Sequence, residues 1–458
     1  MKYLLYLLLF LPLLAAAQSG DMRVYTVAGW YPQGTVTTDG TPATNAKISA
    51  TEGVWMDNRC NIYFSDNQRK IRKVDAISGN IYTVAGTGVL GFSGDNGPAT
   101  DAKIKGYGIY VDAIGNIFIA DGDNHRIRKV DATTGIITTV AGGGVILGDG
   151  GPATNASLLY PPNVYGDKQG NLYIGERARI RKVNTAGIIT TIAGTGVGGL
   201  SGDGGLATNA QVFNPTTMLL DGKGNLLFAD RGNSRIRKIN LTTGIITTVA
   251  GSTTGYSGDG GLATNAQLLG PLSFAIDKFD NLIIGDNGSN YIRFVNAATG
   301  IITIVGGVGT GTVGDIGEGA LVTALEIHPE FFYLDLDGNL FYSNFGKQIR
   351  KITNFNPANS FGVSDCRPVE VEGVGNNKND LPIIHPNPAS NELFIQAEKA
   401  IYNSLKLINV LGQTIMEQDI SGSNETRLSL SGVPGGVYMV LLTGKAANYN
   451  YKIVVGKN

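Results

Sequence analysis

One phrase recurs six times along the chain. "VYTVAG", "IYTVAG", "ITTVAG", "ITTIAG", "ITTVAG" and "ITIVGG" end on Gly29, Gly86, Gly142, Gly194, Gly251 and Gly307, at spacings of 57, 56, 52, 57 and 56 residues. A fixed period of this size marks tandem copies of one supersecondary unit that bury their faces against each other. Each copy carries two further signals. An Asp-initiated turn closing on Asn starts at Asp57, Asp112, Asp167, Asp221, Asp277 and Asp335. An Ile-Arg dipeptide supplies Arg72, Arg128, Arg181, Arg237, Arg293 and Arg350.

Each copy reads as four short strands, shown in the second unit by "YGIYVD", "NIFIAD", "RIRKVD" and "GIITTVAG". Short runs rich in Ile, Val, Tyr and Thr between Gly, Asp and Asn clusters are strand signals. The 65 glycines and only 16% charged residues agree with many tight turns. Six four-stranded units predict an all-β chain built on a six-bladed β-propeller over residues 22–354. The last unit has only three strands before Asn354, and "MRVYTVAG" at 22–29 supplies the fourth, so the N-terminal strand closes the ring and removes both sheet edges.

The stretches "GYGIYVDAIGNIFIADGDNHRIRKVD", "NPTTMLLDGKGNLLFADRGNSRIRKIN" and "PLSFAIDKFDNLIIGD" resemble the NHL-repeat family of β-propellers. That resemblance implies fold more than function, because such propellers include protein- and RNA-binding modules, sensor domains and a peptide-amidating lyase. After a linker at 355–380, residues 381–458 carry "PNPAS", "LINVLGQTI" and "LSLSGVPGGVYMVLL". These resemble the type IX secretion C-terminal sorting domain of Bacteroidetes-type bacteria, which implies a small β-sandwich read by the export machinery. Residues 1–17, with Lys2, an apolar run and Ala15 to Ala17, read as a secretory signal peptide. No later run is long and apolar enough to predict a transmembrane span. The expected location is secreted or on the outer cell surface. A net charge of −1 without basic runs predicts no nucleic-acid partner.

The loop "SGDGGLATNA", identical at 201–210 and 257–266, could be taken for a ligand loop. Its acids, Asp39, Asp95, Asp149, Asp203, Asp259 and Asp315, recur once per unit, whereas chemistry needs unlike groups at one place. It is expected to be structural: the Asp caps free N–H groups and "LATNA" begins a helical turn. The Ile-Arg arginines are expected to pair between blades with acids ending the second strand, as Arg128 with Asp121 and Arg237 with Asp230. Asn344 stands where units one to five have Asp or Glu.

No cofactor is expected. The amidating-lyase branch implies a His-based metal site, and this propeller has only His125 and His328. Gluconolactonase-type propellers imply a channel calcium held by acids, yet the inner-strand cores hold no acid and one Asn, Asn163. A Ca or Zn site is the minor alternative, using Glu326, His328 and Glu330, which alternate in the irregular sixth unit. The varied tips between second and third strands are the expected binding positions, represented by His125, Arg177, Arg231, Tyr291 and Phe345. Cys60 lies in a turn on the face where the chain leaves the ring. Twelve residues lead from Asn354 to Cys366, a reach of about 40 Å. A Cys60–Cys366 bond is therefore feasible, with two free thiols as the alternative. The expected work is binding to a protein, glycan or envelope component. A metal-dependent lyase or hydrolase near blade 6 is the alternative, and a structural spacer or adhesin the third.

Overall fold

The Ile- and Val-rich runs form six antiparallel sheets, each cut from the next by its Asp and Gly turns. The computed structural model describes residues 22–29, 38–49, 51–309, 318–344, 347–353 and 355. It also describes 383–385, 392–396, 402–409, 414–420, 425–434, 436–444 and 448–455. The expected signal peptide at 1–17, most of the expected 355–380 linker, Asp315, Phe345 and Cys366 lie outside the described residues. The chain divides into two compact units, Met1–Cys366 and Arg367–Asn458.

In the first unit each blade runs from strand a at the axis to strand d outside. Blade 2 is Gly106–Val111, Ile117–Asp121, Arg126–Val130 and Ile136–Gly142, hydrogen-bonded in that order. Strand a of the six blades begins at Val54, Gly106, Val164, Pro215, Ser273 and Pro329, and these strands touch in ring order, the sixth meeting the first. Each neighbouring pair of blades shares one hydrophobic cluster. Strand b is therefore covered on both faces, and every residue of Leu226–Asp230 is buried. Arg23–Ala28 pairs antiparallel with Gln348–Thr353 as the outer strand of blade 6, Val24 opposite Ile352. The N-terminal strand thus closes the ring as its sequence predicts.

The invariant end of "TVAG" has a local cause. Register slips between Ile127 and Arg128, which face Ala141 and Thr139, so Val140 is a bulge in strand d. Gly142 follows with φ of 86°, and a Cβ there would lie 2.3 Å from the His125 carbonyl oxygen. Gly86, Gly194, Gly251 and Gly307 repeat both features. Only glycine satisfies the dihedral and the close approach together.

Cys60 ends the a–b turn of blade 1 with φ of 68°, where blades 2, 3, 4 and 6 place Gly115, Gly170, Gly224 and Gly338. It is disulfide-bonded, and the chain's one other cysteine is Cys366. Non-reducing peptide mapping is expected to recover the peptides of Cys60 and Cys366 joined. Recovery of both thiols alkylated without prior reduction contradicts the bond.

The second unit is a β-sandwich. One sheet orders Ile383–His385, Glu392–Gln396 and Glu425–Ser429; the other orders Thr414–Asp419, Tyr402–Asn409, Gly436–Gly444 and Asn448–Val455. Leu393, Ile395 and Leu428 from the first meet Leu405, Leu407, Val440 and Leu442 from the second in one core.

Candidate functional site

The repeated loop does its work at the outer edge of a blade. Gly204 donates to Ile246, which donates back to Gly205, and Leu206 bridges Ile245, so the loop covers the free edge of strand d. Thr41–Pro42 and Gly97–Pro98 are regular enough there to form fifth strands on blades 1 and 2. Asp203 accepts from the N–H and the hydroxyl of Thr248 at 3.2 and 2.6 Å and pairs with Arg237 at 2.7 Å. This corrects the capping expectation. "ATNA" does begin a 3-10 turn at Ala207–Asn209, but its N-cap residue is Leu206 and no side chain caps it. The loop Asp is occupied by strand d and the arginine.

The six arginines are among the largest fully buried side chains in the molecule. Arg237 meets Asp203 at 2.7 Å, Asp230 at 3.4 Å, the Gln211 carbonyl at 2.8 Å and the Ser201 carbonyl at 2.9 Å. Arg128 meets Asp95 at 2.8 Å and Asp121 at 3.4 Å. These pairs join strands and leading loop within one blade, so the expectation of pairing between blades is corrected. The reason is register: Arg237 faces Phe228, two residues from Asp230, so both side chains emerge on the same face of the same sheet. The strand-b acid also accepts the N–H of the segment leading into strand a, Phe213 to Asp230 at 2.7 Å and Lys105 to Asp121 at 2.7 Å. Burial pushes the carboxyls of Asp121 and Asp230 up, opposed by these N–H donors and the arginine. In blade 6 the Oδ1 of Asn344 takes the N–H of His328 at 2.9 Å, which explains why Asn serves there.

In blade 6 Glu318 makes the loop acid's contacts, accepting from the Thr26 N–H at 3.0 Å and its hydroxyl and pairing with Arg350 at 3.2 Å, while Asp315 lies outside the described residues. The phrase "GEGALVT" at 317–323 aligns with "GDGGLAT" at 258–264, a signal the acid count overlooked. Glu318→Gln, which removes the charge of a carboxylate 58% exposed to solvent, is expected to destabilise the propeller by about 1 kcal/mol. Asp203→Asn in blade 4, where Asp230 still faces the arginine, should cost less. Urea unfolding of the two variants compares them directly.

The inner strands bring aromatic side chains together near the a–b turns. Trp55 packs edge-on against Tyr110 at 5.0 Å and Tyr333 at 5.4 Å, and Tyr110 against Tyr165 at 5.6 Å between centroids. One layer closer to the face bearing the d–a and b–c connections, Gly53, Gly108, Asn163, Thr217, Ser273 and Phe331 enclose about 30 Å3. That is room for one or two waters rather than a ligand. On the opposite face a groove of about 780 Å3 runs between the turns of blades 1 and 2, past Asp57, Arg59 and Asp131. Those turn acids are engaged locally: Asp57 accepts from Asn61 and Tyr63, Asp131 from Thr133 and Thr134.

The expected site residues do not converge. Glu326, His328 and Glu330 form no metal-holding group; none of three or more His, Cys, Asp or Glu exists among the described residues. Glu330 accepts from Ser343 at 3.4 Å, and burial lowers the pKa of His328. Arg177 and Arg231 are exposed on the tips of blades 3 and 4. Tyr291 starts strand c of blade 5 and packs on Tyr256 at 5.7 Å.

His125 alone enters a larger cluster, whose other members the sequence reading missed. Blade 2 supplies Lys105, Tyr107, Asp123 and His125, blade 1 Glu52 and Asn67, and the segment leading into blade 3 Tyr160. The Tyr107 hydroxyl donates to Asp123 at 2.8 Å and is hydrogen-bonded to the Tyr160 hydroxyl. The Tyr160 N–H donates to Nδ1 of His125 at 3.1 Å. Lys105 lies over the Tyr107 ring at 4.5 Å, meets Glu52 at 3.3 Å and donates to Asn67 at 2.6 Å. The second oxygen of Glu52 is buried with no hydrogen-bond partner. Burial pushes the Glu52 carboxyl up, opposed by Lys105. Tyr160 has φ of 51° at a position where blades 4 and 5 place Asn214 and Gly270, each followed by proline. A bulky side chain in this region is uncommon and strained. An aromatic where its counterparts are small and αL-tolerant was the readable signal.

Comparisons with known proteins place this geometry. Residues 383–456 match the secretion system C-terminal sorting domain family, and residues 145–200 match the teneurin NHL domain family. The molecule is an NHL-type β-propeller followed by a sorting domain. That sorting domain directs export by type IX secretion to the cell surface or beyond, and the chain is a secreted propeller of Bacteroidetes type. Mouse teneurin-1 is 27% identical over 279 residues, covering 51% of this chain and 10% of teneurin-1, and human teneurin-1 is 28% identical over the same span. The chain therefore spans about a tenth of the length of these relatives. Two solved structures from Bacteroides thetaiotaomicron share the fold. One is a protein of unknown function, 18% identical with a TM-score of 0.54, covering 73% of this chain and 76% of its own. The other is an auxiliary nutrient binding protein, 17% identical with a TM-score of 0.54, covering 72% and 76%. No helix among the described residues is long and apolar enough to cross a membrane.

Proposed function

We propose that this protein is an extracellular binding module that holds its ligand on the d–a/b–c face over blades 1 to 3 and leaves that ligand chemically unchanged. The observation that carries the reading is the Tyr107–Tyr160–His125 cluster, a set of unlike side chains from successive blades that breaks the sixfold repetition at one place. The aromatic contacts among Trp55, Tyr110, Tyr165 and Tyr333 at the axis favour recognition at the surface. His125 accepts a backbone N–H on Nδ1, so in its neutral form Nε2 carries the proton and is a donor. That arrangement offers a hydrogen bond to a ligand and leaves Nδ1 engaged. A fold neighbour named as an auxiliary nutrient binding protein agrees with a binding role.

The test is an array of cell-envelope fractions, secreted proteins and glycans probed with the full chain and with a His125→Ala/Tyr160→Ala variant. Specific signals are expected to fall by about tenfold or more in the variant, the usual loss when central aromatic anchors are truncated. Undiminished signals from a variant with an unchanged melting temperature contradict the proposed face.

A further inference from the structure

We infer that the ligand of this face is a neutral pyranose glycan, stacked on Tyr160 and hydrogen-bonded by Asp123, His125 and Lys105. The inference rests on the binding-face reading above and names its ligand class. A sugar ring has an apolar C–H face and a girdle of hydroxyls that both donate and accept. It is recognised by an immobilised aromatic face beside acceptors and donors fixed in advance.

The cluster supplies each part. Tyr160 is 45% exposed, yet it is held at both ends, by its hydroxyl at Tyr107 and by its N–H at His125. Tyr107 packs on it at 5.4 Å with the planes tilted by 55°, and Gly122 leaves space for Tyr107, because a Cβ there would lie 2.6 Å from its ring. A ring fixed in this way loses little rotamer freedom on binding. Around it stand a carboxylate in Asp123, an imidazole in His125 and an ammonium in Lys105. Leu159, the residue before Tyr160 in the chain, is 55% exposed and adds apolar surface next to it in sequence.

Charge selects the class. Lys105 is neutralised by Glu52 at 3.3 Å, and Asp123 adds a negative charge, so the site repels uronates, sulfates and phosphates. The strained backbone of Tyr160 points the same way. Asn or Gly would satisfy the turn, as Asn214 and Gly270 do, so what the tyrosine adds is its ring.

The experiment titrates the full chain with soluble hexasaccharides of glucose, mannose and xylose, and with hexagalacturonate, by calorimetry. At least one neutral hexasaccharide is expected to saturate, with hexagalacturonate at least about tenfold weaker. Tyr160→Ala should weaken binding about tenfold or more, Tyr160→Phe by less than about threefold because the ring remains, and Lys223→Ala on the opposite face not at all. Should Tyr160→Ala fold poorly, Tyr160→Gly removes the same ring at a backbone position that favours glycine. Failure of every neutral hexasaccharide to bind below about 10 mM overturns the glycan assignment. If a protein partner from the array above is still lost with His125 and Tyr160, the binding face stands and only its ligand class falls. Sugar binding that survives removal of the Tyr160 ring overturns the location.

Discussion

Arg237→Met is expected to lower the unfolding free energy of the propeller by about 3–5 kcal/mol, the usual cost of removing one partner from a buried ion pair. The side chain is fully buried and touches strand b, the leading loop and two backbone carbonyls at once. Methionine fills similar volume, so the loss is electrostatic. Asp230 stays buried without its cation, and the carbonyls of Gln211 and Ser201 lose a donor. Asp230→Asn should cost far less, about 1–2 kcal/mol, since Asn344 already fills the equivalent place in blade 6. A double-mutant cycle in urea isolates the pair. A coupling near zero contradicts the view that the arginine is the hub of each blade.

A second large effect is expected at the closure. Deleting residues 22–28 should abolish the cooperative unfolding transition of the propeller. The deletion strips Val24 and Ala28, both at 0% exposure, from their clusters and turns Gln348–Thr353 into an open edge. It also removes the Thr26 groups that hold Glu318 beside Arg350. A rescue separates this from general damage. Placing a turn such as "ATTG" followed by "RVYTVAG" after Thr353 rebuilds blade 6 as a continuous four-stranded sheet, with the four-residue turn of blades 1, 2, 4 and 5. That rearranged chain should fold with a restored transition. Failure of the rescue together with a folded deletion variant contradicts closure by the N-terminal strand.

The sequence carried the fold because six imperfect copies each repeat the same turn, dipeptide and glycine, and the missing fourth strand of the last copy could be found at the other end. It also exposed the loop as architecture. What it could not carry was which strand edge the loop covers, since a segment linking two blades can lie on either one. Nor did it show that each arginine stays within its own blade, because that depends on register across three strands. The candidate site was legible only through His125. Glu52, Lys105, Tyr107 and Tyr160 come from three blades and share no motif. They meet because the segment leading into each strand a lies against the tip of the preceding blade. The aromatic cluster of the inner strands was more accessible: Trp55, Tyr110, Tyr165 and Tyr333 occupy the same place in four of them.

The central claim is that recognition occurs on one sector of one face. Amide hydrogen exchange of the full chain, with and without a ligand recovered from the array, measures that directly. Protection confined to 104–108, 122–125 and 157–163 is the predicted result. Protection centred on the opposite groove, at 57–61 and 131–135, or spread evenly over all six b–c tips, would contradict it.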